Sequence, residues 1–331
     1  SQLLGEERVF KAGFWIAIAV LTALAGVFLL PVGLPQEVIH SIAPRALPLK
    51  EFAIRLAAYL VLAPVIGGFL AGIDRKLTAR MQGRRGPPIR QAFYDVAKLW
   101  GKENIVVRRS QSFYVFFFFL FVVFTGALFF CGSDLLLVIF SLTLASIFLV
   151  LAAYKASSPY SFIGAERELI QMVAYEPMVL MAAVGMYMTT GSFRVDDIFA
   201  NPANPLKLIL IFAGFLYILE IKFRKSPFDL STSHHAHQEL VKGLTTEFSG
   251  KMLALIEVAH WYENVILFAW VGLFFAFNLW IGAAVMVLVF FFMIFVDNTF
   301  ARLKWQLAIK SAWTVTLVLA VANLILLALW K

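Results

Sequence analysis

Apolar residues along this chain fall into long blocks, with the polar residues collected between them. Crossing the hydrocarbon core of a bilayer takes roughly 20 mostly apolar residues. Nine stretches qualify: about Gly13 to Val32, Phe52 to Ile73, Phe113 to Phe130, Leu135 to Ala153, Leu169 to Thr189, Leu206 to Ile221, Met252 to Phe275, Leu279 to Val296 and Trp313 to Trp330. In lipid a backbone must satisfy its own hydrogen bonds. The pattern therefore predicts an all-α, polytopic integral membrane helical bundle of about nine transmembrane helices. The first block is long enough to span and lacks a small-residue cleavage signature after it, so it reads as a retained helix. Between the second and third blocks, Ile89, Phe93, Val96, Ala97 and Trp100 recur at helical spacing, with Arg90, Asp95, Lys98 and Lys102 on the other faces. That spacing predicts an amphipathic helix lying at the membrane interface. The run Phe116 to Phe119 reads as lipid-facing bulk.

Composition agrees with the blocks. The 331 residues are 61% hydrophobic and 15% charged, whereas a soluble domain is about half apolar and about a quarter charged. The 34 Phe and eight Trp spread over the whole chain, which argues for a single membrane domain, 1–331, over a soluble domain with one anchor. The net charge of +8 does not imply nucleic acid, because the basic residues lie in loops between apolar blocks. With nine spans, the N-terminus and every second loop carry 22 Lys and Arg, against five on the other side, Arg45, Lys50, Arg194, Lys207 and Lys331. The positive-inside rule then puts the N-terminus and the long basic loops in the cytoplasm. Cys131 is the sole cysteine; this excludes an internal disulfide and a cluster held by several thiolates of this chain. Any iron-sulfur chemistry must come from partners.

Three segments carry unusual chemistry. Asp74 to Ile105 joins a basic cluster to a Gly86-Pro87-Pro88 break, fixed backbone of the kind needed where something packs closely. Ser158 to Pro177 places Glu176 inside an apolar span, with Arg167 and Glu168 at its mouth. An ionisable group at membrane depth is costly and is usually kept for an ion or proton path. Glu220 to Gly250 holds Glu220, Asp229, Glu239 and Glu247 with His234, His235 and His237. Imidazole near carboxylates suits proton relay or interface hydrogen bonding. The His-x-His spacing fits a metal less well, since zinc sites draw ligands from separated segments and no Cys is nearby. No phosphate loop, nucleophile elbow or dinucleotide fingerprint is present, so the chain reads as non-catalytic by itself.

Together these segments resemble the complex I membrane subunit that sits beneath the peripheral arm (NADH dehydrogenase subunit 1, H-type). They resemble more closely its relatives in energy-converting membrane-bound nickel-iron hydrogenases and formate hydrogenlyase. The matching pieces are ARMQGRRGPP with AKLWGKENI, IGAERELIQMVAYEP, the run from Glu220 through Pro227, Phe228, Asp229 and Leu230, then QELVKG, TEFSG and DNTFARLK. The resemblance runs from about residue 52 to the C-terminus. It implies a core over 51–331 preceded by an additional N-terminal span and outer loop over 1–50. Where the complex I pattern is acid-rich after Pro-Phe-Asp-Leu, this chain has STSHHAHQ, which favours the hydrogenase branch.

By position, the resemblance makes Glu176, Glu220, Asp229, Glu239 and Glu247, with His234, His235 and His237, a proton-path and coupling series. It makes Arg75, Arg80, Arg84 and Arg85, with Gly86, Pro87, Arg167 and Glu168, partner-docking or charge-balancing residues. It implies a membrane anchor and proton-path subunit that couples electron transfer in a docked iron-sulfur and nickel-iron arm to proton or sodium translocation in the inner (cytoplasmic) membrane. No cofactor is expected on this chain. Iron-sulfur clusters and the nickel-iron centre are expected in partners: hydrogenase large and small subunits and iron-sulfur proteins on the cytoplasmic side, with antiporter-like subunits and lipid in the membrane. The alternative is the corresponding subunit of a quinone-reducing or ferredoxin-linked complex I relative. A standalone transporter fits less well, since internal repeats and interrupted helices are not evident.

Overall fold

The computed structural model describes residues 49–103, 109–228, 231 and 242–329. The first apolar block, and Asp229, His234, His235, His237 and Glu239, lie outside the described residues. The chain divides into two compact units, residues 1–55 and 56–331; of the first, only the opening of one helix is described.

Regular structure among the described residues is helical, apart from a single bridge between Asp134 and Arg194. The elements are α1 (Leu49–Met81), α2 (Gln91–Trp100), α3 (Arg109–Phe130), α4 (Leu135–Lys155), α5 (Pro159–Thr190), the short α6 (Val195–Ala200), α7 (Ile209–Lys222), α8 (Gly250–Leu273) and α9 (Leu279–Thr299). The last run joins α10 (Trp305–Val315) through a π turn, Thr316–Ala320, to α11 (Val321–Leu329). Seven of these are long and apolar enough to cross a membrane: α1, α3, α4, α5, α8, α9 and the continuous Trp305–Leu329. The best-covered windows, 56% buried in α4 and α8, mark the interior of the bundle; α9 and the last run, at 28%, lie at its periphery.

The eighth block expected here, Leu206 to Ile221, takes a different form. It becomes a 3₁₀ turn, Pro205–Leu208, followed by the 14 residues of α7. At 1.5 Å per residue α7 is about 21 Å long, short of the roughly 30 Å hydrocarbon core. Its first amides are satisfied from another helix, because a helix end inside a bundle otherwise leaves orphan N–H groups. Leu210 N and Ile211 N donate to Asn323 Oδ1 at 3.1 and 3.3 Å, and Asn323 Nδ2 donates to Lys207 O at 2.8 Å.

The amphipathic segment forms α2. Ala92 is buried, Phe93 meets Phe69 and Trp261 edge-on, and Tyr94 and Trp100 remain exposed. A Cβ on Gly72 would lie 1.9 Å from Ile89 O, so the chain entering α2 rides directly on α1 and glycine is required there.

The Phe run departs from expectation. Phe118 is buried beside His260, and Phe117 packs on Phe121 and Phe148 of α4. Four consecutive helical residues sweep the whole circumference at 100° each, so such a run cannot face lipid with every side chain.

Candidate functional site

The chain leaves α7 through residues 222–228, and this segment gathers charges from four other helices. Lys222 Nζ donates to Tyr175 Oη at 2.9 Å, lies 4.3 Å from that ring's centroid, and approaches Glu263 Oε1 at 3.4 Å. Two residues on, Arg224 adopts a left-handed φ of +53° and forks onto Glu168. Its Nη2 and Nε donate to Oε1 at 2.7 and 3.0 Å, with Oε2 3.2 Å from Nε. Nη1 of the same guanidinium lies 3.6 Å from Glu263 Oε2 and 3.0 Å from His260 Nε2. Ser231 Oγ donates to Glu168 Oε2 at 2.5 Å. Two cations thus face two carboxylates, all four nearly out of contact with solvent. Burial works against the Arg224 charge, but Glu168 and Glu263 outweigh it and hold its pKa above the ordinary guanidinium value.

The rest of the segment is pinned as firmly. Lys225 Nζ donates to Asp74 Oδ1 of α1 at 2.8 Å, Ser226 N to Asp297 Oδ1 of α9 at 3.0 Å, and Leu303 N to Pro227 O at 3.1 Å. Gln171 Nε2 of α5 donates to Phe228 O at 2.5 Å. A Cβ on Gly164 would come within 2.3 Å of Leu244 N, so α5 also admits the chain before α8 at backbone distance.

Two acids behave differently. Glu220, in the last turn of α7, is buried and neither carboxylate oxygen has a hydrogen-bond partner; Lys225, Asp297 and Asp74 are its charged neighbours. Glu176, midway along α5, has a buried Oε1 without a partner. It borders a cavity between α4, α5, α7 and α8, also lined by Thr143, Tyr175, Lys222 and Trp270.

Other residues singled out from sequence lie elsewhere. Glu247 is half-exposed in the turn ahead of α8 and outside the ion cluster. Arg75 Nη1 donates to Asp95 at 2.6 Å, tying α2 to α1. Arg80, Arg84 and Arg85 are exposed around the α1–α2 connection, where Arg84 donates to Gln82 and Gln82 to Asn298 at 3.1 Å. Gly86 packs against Lys76, and Pro87 is half-buried. Arg167 is half-buried. Glu168, grouped from sequence with the docking residues at the mouth of its span, is an interior ion-pair partner.

Sequence reasoning missed Lys222, Arg224, His260 and Glu263. His260 and Glu263 stand inside the Met252 to Phe275 block and carry the signal that drew attention to Glu176. Among the described residues no group of three or more His, Cys, Asp and Glu side chains could hold a metal ion.

Fold and site together define a multi-pass membrane protein with a charged, titratable interior. Residues 53–328 match the NADH dehydrogenase family, and the chain belongs to that family. It is 28% identical over 286 residues to hydrogenase-4 component C of Escherichia coli, covering 77% of this chain and 90% of that protein. With the H-type membrane subunit of the NADH-quinone oxidoreductase of Geobacillus kaustophilus it shares 30% over 311 residues, 82% of this chain and 91% of the other. It also superposes on a chain of the membrane-bound sulfane sulfur reductase, an archaeal respiratory membrane complex. That match has a TM-score of 0.75 and 25% identity, over 84% of this chain and 99% of that one.

Proposed function

We propose that this chain is the membrane anchor and proton-path subunit of an ion-translocating redox complex. In this reading it couples electron transfer in a docked iron-sulfur and nickel-iron arm to ion movement through the membrane. The observation that carries it is the pair of buried acids, Glu176 and Glu220, whose oxygens lack partners beside a fully paired ion cluster. Ionisable groups at membrane depth are expensive and are retained where charge moves. Membership of the relatives in hydrogenase-4, NADH-quinone oxidoreductase and sulfane sulfur reductase supports the same class.

The chain sits in the inner (cytoplasmic) membrane with its N-terminus and basic loops in the cytoplasm, supported by the 22 to five division of Lys and Arg. Residues 1–50 form an added span and outer loop ahead of the core. Arg80, Arg84 and Arg85 meet the soluble arm, since guanidinium groups beside a rigid Gly-Pro-Pro turn suit charge-assisted bonds to a partner. The coupling series takes in Glu176, Glu220, Asp229, Glu239 and Glu247 with the His234 to His237 cluster. The clusters and nickel-iron centre reside in the arm, and antiporter-like subunits adjoin the chain in the membrane. The runner-up, a quinone-reducing or ferredoxin-linked relative, is favoured by the identity with the NADH-quinone oxidoreductase proteins.

Purification of the tagged chain in mild detergent tests the reading. Iron-sulfur subunits and nickel should accompany it; iron without nickel selects the runner-up, and no iron-bearing partner contradicts both. Replacing Arg84 and Arg85 together by Ala should release the arm while the chain stays in the membrane. Unchanged assembly would remove their docking role.

A further inference from the structure

The cavity bordered by Glu176 has about 20 Å³ of room for water centres, and roughly 10–15 Å³ suffices for one water. Its wall is mostly apolar, from Ile139, Leu142, Val179, Phe215 and Leu267, so the few polar groups decide what enters. Two of these are without partners: Glu176 Oε1 and Nε1 of Trp270, whose side chain is 1% exposed. The third is Lys222, held against Tyr175 and Glu263 with only 6% of its side chain exposed. A buried acceptor and a buried donor facing one small space are what a bound water satisfies.

We propose that this cavity is a water site through which Lys222 and Glu176 exchange a proton, and that the Lys222 ammonium makes it a proton site and not a sodium site. The inference rests on the coupling role proposed above and specifies the ion. A sodium ion in so small a space would face the ammonium at short range with little water to screen it. It would also need five or six oxygen ligands, where the wall offers Glu176, Thr143 and Tyr175, the last already bonded to Lys222. A proton needs only a hydrogen-bonded connection. In the exchange an N–H bond at Lys222 Nζ breaks, the proton passes through water, and an O–H bond forms at Glu176 Oε1. Ammonium and carboxylate become amine and acid, and total charge is conserved. Glu263 and Tyr175 hold the amine in place for reprotonation.

The test uses the whole complex, purified through a tag on this chain and reconstituted in liposomes with dithionite-reduced methyl viologen as electron donor. Proton movement is read with a pH-sensitive dye and sodium movement with radioactive sodium. Lys222→Met strips Glu263 of a partner and can fail to fold, so the decisive variant is Val179→Phe, which fills the cavity without touching a charged group. Val173→Leu, at an exposed position of the same helix, is the control. We expect the wild type and the control to move protons equally well with or without sodium. Val179→Phe should lose at least tenfold in proton movement per electron while assembling and transferring electrons. Full proton movement in Val179→Phe overturns the proposal but leaves the coupling reading standing. Sodium uptake by the wild type that Val179→Phe abolishes overturns the ion assignment. An assembled wild-type complex that turns over and moves neither ion removes the coupling reading itself.

Discussion

Two sets of buried charges lie close together along α5 and α7, and their treatment is opposite. In one, Lys222, Arg224, Glu168 and Glu263 satisfy one another, with His260, Tyr175 and Ser231 filling the remaining positions. In the other, Glu220 and Glu176 present buried oxygens to no hydrogen-bond donor. An unpaired buried polar group costs stability, so a protein keeps one only where something other than stability selects it. The difference separates charges that hold the bundle together from charges available to move.

If that separation is right, breaking the paired set should do the most damage. Arg224→Leu leaves Glu168 buried with only Ser231, and removing one partner of a buried pair costs about 3–5 kcal/mol. Thermal unfolding of the detergent-solubilised chain should show the complex failing to assemble or melting far below wild type. Wild-type melting would mean that the cluster is not structural. Next comes Asn323→Ala, which uncaps Leu210 N and Ile211 N of the short α7 and should cost about 1–3 kcal/mol. The same melt measures it, and hydrogen exchange should rise at the start of α7 specifically. Smallest is Asp74→Asn, where a partly exposed pair with Lys225 is worth under about 1 kcal/mol. A large loss there would place the site's anchor at α1.

Much of this was legible in the sequence. The apolar blocks located the spanning helices because a 20-residue apolar run has few alternatives in lipid. Glu176 and Glu220 stood out as acids at membrane depth. What could not be read was pairing. Lys222 and Glu263 are 41 residues apart in sequence, and nothing local says that α7 and α8 bring them to 3.4 Å. Glu168 looked like a mouth residue because its neighbours Arg167 and Glu166 are polar, yet one helix turn decides which of three adjacent residues faces inward. The length of α7 was hidden for a related reason. Leu206 to Ile221 is apolar throughout, and only the distant Asn323 shows that its helix begins late.

The unpaired set gives the most direct test of the central claim. Glu220→Gln keeps the shape of the side chain and removes its titration. Proton uptake per electron by liposomes containing the complex should collapse in this variant, with assembly and thermal stability at wild-type level. Full uptake in Glu220→Gln would contradict the account, making this acid a passive part of the fold and moving the ion path to neighbouring subunits.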